Sequence, residues 1–277
     1  MSSQNQGRLS QLTEQLRSEG VKPLVPFLTA GYPDEHSFLR VLKEACQAGC
    51  PLVEIGIPFS DPVADGPVIQ ASSQQVLAQG MNLRRTLELA AEAREMGLAV
   101  ILMGYLNPIL KMGVAEFADG CAEAKVAGVI IPDLPSEESP KIRALLLNKG
   151  TDLVELVAPT TDPQRLSNTT KVATGFLYLV STTGVTGAGT STAQGPPLSE
   201  YVSRVRKESA LPLYVGFGIS NPDQAAQVAA IADGVIVGSA LIKLIGEANS
   251  PNEAVVNAGN FLSQMAAAMK PQKGSLS

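Results

Sequence analysis

Apolar residues in this chain gather into short unbroken runs rich in β-branched side chains, separated by longer stretches with helical spacing. Eight such runs occupy residues 24–28, 52–55, 99–103, 129–131, 153–157, 176–180, 213–215 and 235–237. A strand that is apolar at nearly every position is covered on both faces, as in a parallel sheet. Stretches 37–47, 83–96, 116–125, 140–147, 201–207 and 222–231 carry apolar residues three and four apart and predict amphipathic helices around that sheet. Eight strand–helix units in 277 residues predict an α/β fold of the (β/α)8 barrel kind, one domain over 1–277. A leading helix at 9–19 is expected to plug the bottom of the barrel, and a long helix at 253–269 to close the chain. The tail 270–277 is expected to fray.

Most runs start roughly 22 to 30 residues after the previous one, the size of a minimal βα unit. Two gaps are much longer, 57–82 after the second run and 181–198 after the sixth. Loops at the C-terminal ends of barrel strands build the catalytic face, so both long loops are expected there. The later one begins Ser181-Thr182-Thr183-Gly184-Val185-Thr186-Gly187-Ala188-Gly189, polar and glycine-rich. It is expected to act as a lid that excludes water once substrate binds.

The second run breaks its own pattern. Leu52, Glu54 and Gly56 face one way, and Val53, Ile55 and Ile57 the other. A carboxylate on a buried strand is costly unless it has a partner or a task. The chain then leaves through Pro58 and Pro62 to a second carboxylate, Asp65, just before a helix beginning near Gly66-Pro67. A strand-end carboxylate followed by a loop carboxylate is what general acid–base chemistry requires. Each also has a plainer explanation: Glu54 as half of a buried ion pair, Asp65 as a helix N-cap. Their place in one loop, with Gly56 leaving room beside Glu54, favours function.

Three late strand ends are rich in glycine and feed helices: Gly184-Val185-Thr186-Gly187, Gly216-Phe217-Gly218-Ile219-Ser220 and Gly238-Ser239. Glycine lets backbone N–H groups approach an anion, and a helix N-terminus adds partial positive charge. Around the last two strands of a barrel this predicts a phosphate site. Capping offers a competing explanation for Asn221, before Pro222, and for Ser239.

Charge and composition narrow the chemistry. Lys plus Arg number 21 against 26 Asp plus Glu, a net charge of −5 with no basic block, which argues against nucleic-acid and membrane-surface binding. No run of 18 apolar residues occurs, so no membrane span is expected. Cys46, Cys50 and Cys121 form no CxxC and cannot all pair, which suits a reducing cytoplasm; the first two are spaced for one buried helix face. The single histidine, His36, leaves little basis for a zinc site or a Ser-His triad. No lysine lies inside any of the eight runs, which counts against a Schiff-base aldolase. The substrate must then supply its own electron sink, as an electron-accepting aromatic heterocycle does.

From residue 8 to about 247 the sequence resembles the α subunit of tryptophan synthase. The residues that carry the likeness are Pro26-Phe27-Leu28-Thr29-Ala30-Gly31, the whole of 53–67, Gly104-Tyr105-Leu106-Asn107-Pro108, Pro132-Asp133-Leu134-Pro135 and the three glycine motifs. The segment 54–67 is specific to that family; other phosphosugar barrels share only the late glycines. The resemblance implies retro-aldol cleavage of indole-3-glycerol phosphate to indole and glyceraldehyde 3-phosphate. It implies Glu54 as the general acid–base at indole C3 and the glycerol hydroxyl, and Asp65 as the partner of the indole N–H. It places Tyr178 in the pocket near Glu54, and Phe27, Met103, Tyr105 and Phe217 around the indole ring. Thr186 becomes the lid residue that meets the Asp65 loop, and Gly187, Gly218, Ile219, Gly238 and Ser239 the phosphate cradle. Thr182 stands where some bacterial members carry Arg, so lid anchoring is expected to differ. The resemblance further implies a cytoplasmic enzyme with no cofactor in this chain. Its partner would be a β subunit that contains pyridoxal phosphate, in an α2β2 tetramer. A stand-alone lyase releasing free indole and a non-catalytic activator of the β subunit stay open as alternatives.

Overall fold

Each apolar run forms a strand. They are β1 (Leu24–Thr29), β2 (Leu52–Gly56), β3 (Ala99–Met103), β4 (Gly128–Ile130), β5 (Asp152–Val157), β6 (Leu177–Val180), β7 (Leu213–Gly216) and β8 (Gly234–Val237). All pair in parallel in chain order, and β1 closes on β8 through Leu24 opposite Val235, giving the expected closed barrel. The structure is a computed structural model that describes residues 7–180, 196–216 and 218–270. The lid expected after β6, with Thr182, Thr186 and Gly187, lies outside the described residues, as do Phe217 and all of the expected frayed tail except Lys270.

Outside the barrel lie α1 (Arg8–Ser18), α2 (Glu35–Gln47), α3 (Pro67–Ala78), α4 (Leu83–Glu95), α5 (Leu106–Met112) and α6 (Val114–Glu123). They are followed by α7 (Pro140–Asn148), α8 (Pro163–Val172), α9 (Leu198–Glu208), α10 (Pro222–Ile231), α11 (Ser239–Gly246) and α12 (Pro251–Ala268). The closing helix α12 packs against α2, α10 and α11. The helix expected from Gly66-Pro67 is α3, which fills the second half of the long gap 57–82. The buried side of α3 is Ser72, Ser73 and Val76, two of them polar, so its period is nearly invisible to an apolar count. Cys50 lies beyond the end of α2, so it and Cys46 do not share a helix face; all three cysteines are free thiols. Burial pushes the Cys50 thiol up to about 12, which keeps it protonated and inert.

Helix α1 is the plug. Leu9 is fully buried against Gly128 and Gly175, at the N-terminal ends of β4 and β6, where a Cβ would sit 2.6 and 2.8 Å from its side chain. Asp152, at the start of β5, fastens the helix from below. Its carboxylate accepts from the Ser10 N–H at 3.0 Å and from the Ser10 hydroxyl at 2.7 Å. Asp152→Ala removes a fully buried acceptor and leaves that first-turn N–H without a partner. The expected loss is about 1–3 kcal/mol, read as a Tm several degrees lower in thermal unfolding with turnover unchanged. A Tm within about a degree of the parent would mean that the other contacts of α1, buried Leu9 and the Arg8 and Thr13 hydrogen bonds among them, hold it without Asp152.

The side chains that fill the barrel follow the register. Phe27 of β1 pairs with Glu54 of β2, which pairs with Ile101 of β3, and Gly56 pairs with Met103. Laterally paired residues point to the same face, so Phe27, Glu54, Gly56 and Met103 all face the lumen. A Cβ on Gly56 would lie 2.6 Å from Phe27 Cζ. The glycine thus makes room for the Phe27 ring from the neighbouring strand, rather than for Glu54 itself.

Candidate active site

Glu54 is the middle residue of β2 and is fully buried. Among the described residues neither of its carboxylate oxygens has a hydrogen-bond partner, so the buried ion pair weighed as an alternative is absent. Burial, and secondarily the charge of Asp65, raises its carboxyl to about 8. A carboxyl held there is a neutral acid at pH 7 and can give up a proton and take it back near neutrality.

Asp65 ends the loop 57–66. The N-cap of α3 is Gly66, with no side-chain capping bond and Pro67 in the first turn, so Asp65 is not spent on capping. Burial raises its carboxyl, and a hydrogen bond from Tyr105 opposes that shift. The Tyr105 hydroxyl also accepts from the Ala64 N–H at 2.9 Å. Its own pKa is pushed up to about 12, by burial first and the Asp65 charge second, so the hydroxyl remains a donor at neutral pH. Tyr105 does not line the cavity as the indole-packing expectation had it; it holds the loop that carries Asp65 and packs its ring 5.3 Å from that of Phe59. The reason is reach: Tyr105 lies two residues past β3, where its hydroxyl meets the 57–66 loop.

Both carboxylates open into one cavity of about 490 Å³ at the C-terminal ends of the strands. Phe27, Met103, Tyr178, Gly218, Ile219, Gly238 and Ser239 line it with them, as expected from the sequence. Tyr178 is fully enclosed, and burial together with the nearby Glu54 charge pushes its hydroxyl well above the usual range. Its ring lies across the lumen only because residue 216 is glycine, where a Cβ would fall 2.3 Å from the Tyr178 hydroxyl. This end of the cavity is apolar apart from the two carboxyls and the Tyr178 hydroxyl.

The opposite end is the glycine-rich one. Gly218 takes a φ of 77°, a conformation that side chains other than glycine's rarely adopt. Ser239 is the first residue of α11, whose N-cap is Gly238, so capping does not account for Ser239. It does account for Asn221, whose side chain accepts from the Gln224 N–H at 3.0 Å. The Ser220 N–H is engaged too, donating to Gln224 Oε1 at 2.8 Å. Residues the sequence reading passed over complete the wall: Val68 and Ile69 of α3, Lys243 and Leu244 of α11, Glu247 just after it, and Phe261 of α12. The spacing of Ser239, Lys243 and Glu247, four residues apart on one helix face, was a legible signal; Phe261 gave none. Lys243 pairs with Glu247 at 3.6 Å and puts a cation beside the glycine end. Among the described residues no three His, Cys, Asp or Glu side chains are grouped to hold a metal ion.

The cavity therefore suits an elongated ligand with a flat apolar head against two carboxyls and an anionic tail at a helix N-terminus. Comparison with known proteins points the same way. The family model described as "Tryptophan synthase alpha chain" matches residues 13–270. The tryptophan synthase alpha chain of Citrifermentans bemidjiense is 44% identical over 259 residues, 93% of this chain and 96% of that protein. That of Dechloromonas aromatica is 42% identical over 240 residues, 86% of this chain and 89% of its own length. Among solved structures, the alpha subunit from Legionella pneumophila superposes with a TM-score of 0.85 at 37% identity, covering 95% of this chain and 98% of its own. Mycobacterium tuberculosis tryptophan synthase gives 0.86 at 35%, covering 96% and 100%. With two carboxyls set against a glycine-rich end in the same barrel, and with relatives this similar along nearly their whole length, the chain belongs to the tryptophan synthase alpha chain family, whose reaction is the lyase cleavage of indole-3-glycerol phosphate.

Proposed function

We propose that Glu54 and Asp65 carry this reaction between them, and that the observation supporting it best is the buried carboxyl of Glu54, without a hydrogen-bond partner among the described residues, lining one cavity with Asp65. Neutral Glu54 donates its proton to indole C3, and the ring becomes a cation with its charge centred on nitrogen. Asp65, ionised, accepts the indole N–H and balances that charge in a site with little water. The Glu54 carboxylate then takes the proton of the hydroxyl on the carbon attached to C3. The C–C bond breaks, its electrons return to the ring, and indole and glyceraldehyde 3-phosphate separate. One proton leaves Glu54 and one returns, so the enzyme ends as it began. Phe27, Met103 and Tyr178 pack the ring, while Gly218, Ile219, Gly238 and Ser239 hold the phosphate. No step needs a cofactor on this chain.

The family pairs with a β subunit, and we place that partner on the C-terminal face of the barrel. Val63, 86% exposed beside Asp65, and Leu110 of α5, about half exposed, offer apolar contacts there. An α2β2 tetramer with pyridoxal phosphate on the β subunit, in the cytoplasm, fits this arrangement; no described helix is long and apolar enough to cross a membrane. The test is indole release from indole-3-glycerol phosphate by the chain alone and after adding β subunit. Slow turnover alone and faster turnover in the complex are expected. Turnover in neither condition would overturn the assignment of a catalytic role.

A further inference from the structure

Gln70 lies near the start of α3, its side chain turned back over the helix N-terminus toward the loop that ends in Asp65. Its Nε2 donates to the Asp65 carbonyl at 2.8 Å and to the Pro62 carbonyl at 3.3 Å. Its backbone N–H donates to the Gly66 carbonyl at 3.0 Å. One residue thus satisfies three carbonyls of a loop that is otherwise largely exposed on its outer side. The helix carrying Gln70 is itself anchored. The Ser72 hydroxyl donates to the Ile69 carbonyl at 2.8 Å and shares a 2.7 Å hydrogen bond with the hydroxyl of Thr29, the last residue of β1. Both hydroxyl-bearing residues are buried. Tyr105 grips the same loop from the β3 side, at the Ala64 N–H and the Asp65 carboxylate.

We infer that Gln70 is a positioning residue for the reaction, tying the main chain of residues 62–65 to α3, and through α3 to β1, so that the Asp65 carboxylate stays aimed at the substrate ring nitrogen. The inference rests on the reading of Asp65 given above. Tyr105 fixes the direction of the carboxylate, and Gln70 fixes the backbone from which it extends. Without the amide, the Pro62 and Asp65 carbonyls turn to water, and the loop keeps its tie to Tyr105 but loses its tie to α3. A misplacement of about 1 Å at a catalytic group costs on the order of 100-fold in rate.

The test is Gln70→Met, which keeps length and removes both donors, alone and combined with Asp65→Asn, with Gln70→Glu as a second variant. In the parent, Gln70→Met should lower kcat about 10- to 100-fold with KM changed less than about threefold, because the tie acts on the reacting end and not on the phosphate end. The basic limb of the pH profile, set by Glu54, should move to lower pH as the Asp65 charge moves away. Gln70→Glu, which offers oxygens to two carbonyls, should behave like Gln70→Met. In the Asp65→Asn background, Gln70→Met should cost less than about twofold, since nothing remains to be positioned. An equal loss in both backgrounds, an unmoved basic limb, or full activity in either Gln70 variant would overturn the inference while leaving Asp65 in place. Full activity in Asp65→Asn alone would remove the reading beneath it and the inference together.

Discussion

Replacing Glu54 with Gln is expected to abolish indole formation almost entirely, by about 10²–10⁴-fold, in a protein that still folds and still binds substrate. The amide has the same size and fills the same lumen position beside Phe27 and Ile101 but has no proton to transfer. The pH profile of the parent enzyme carries the same idea. Glu54 must start protonated, and burial holds it so up to about pH 8, so kcat/KM should fall above that value. On the acid side it should fall as Asp65, also raised by burial, takes up a proton. Stability gives an independent check. The folded-state value near 8 lies above the ordinary carboxyl value of 4.5, so the folded protein keeps a proton that the unfolded chain has released between them. The Glu54 contribution is therefore full below the ordinary value, declines as pH rises through that window and is lost above about 8. The amide of the Glu54→Gln protein does not titrate and has no such dependence. The substituted protein should gain relative stability across the window by roughly 1 kcal/mol per pH unit at most, then level off. A variant that keeps more than a tenth of the parent rate would leave Glu54 a structural residue.

Asp65→Asn is expected to lower kcat about 10²–10³-fold for a different reason. The amide oxygen can still accept the indole N–H but carries no charge to set against the ring cation. Because the Asp65 charge is the second cause of the raised Glu54 value, its removal should also shift the basic limb downward. The two readouts are separable. A slower enzyme with an unmoved limb would mean that Asp65 meets the substrate but does not act on Glu54. A moved limb with an unchanged rate would sink the charge-balancing role. Capping provides no escape, since α3 takes Gly66 as its cap and the substitution at Asp65 changes nothing there.

Much of this was written into local pattern. A parallel barrel strand is covered on both faces, so burial itself is recorded along the chain as an unbroken apolar run, and all eight runs became strands. Glu54 stood out because it interrupts such a run, and the late glycines because they sit where strands give way to helices. The convergence of Glu54, Gly218 and Gly238 on one cavity followed from barrel topology, which brings every strand's C-terminal end to one face. Contacts between residues distant in sequence were not legible. That Gly56 accommodates Phe27 and Gly216 accommodates Tyr178 depends on register between neighbouring strands, which no one-dimensional period encodes. That Tyr105 grips the Asp65 loop instead of lining the pocket depends on where a loop from β2 passes a residue following β3. The start of helix α3 was legible at Gly66-Pro67, but its buried side was not, because that side is mostly serine, which tertiary packing against β1 makes acceptable by pairing Ser72 with Thr29. The Glu54 proton is the clearest case. The sequence supplies a carboxyl, but only enclosure by the whole barrel, with Asp65 brought near from the loop, holds it in the acid form at neutral pH.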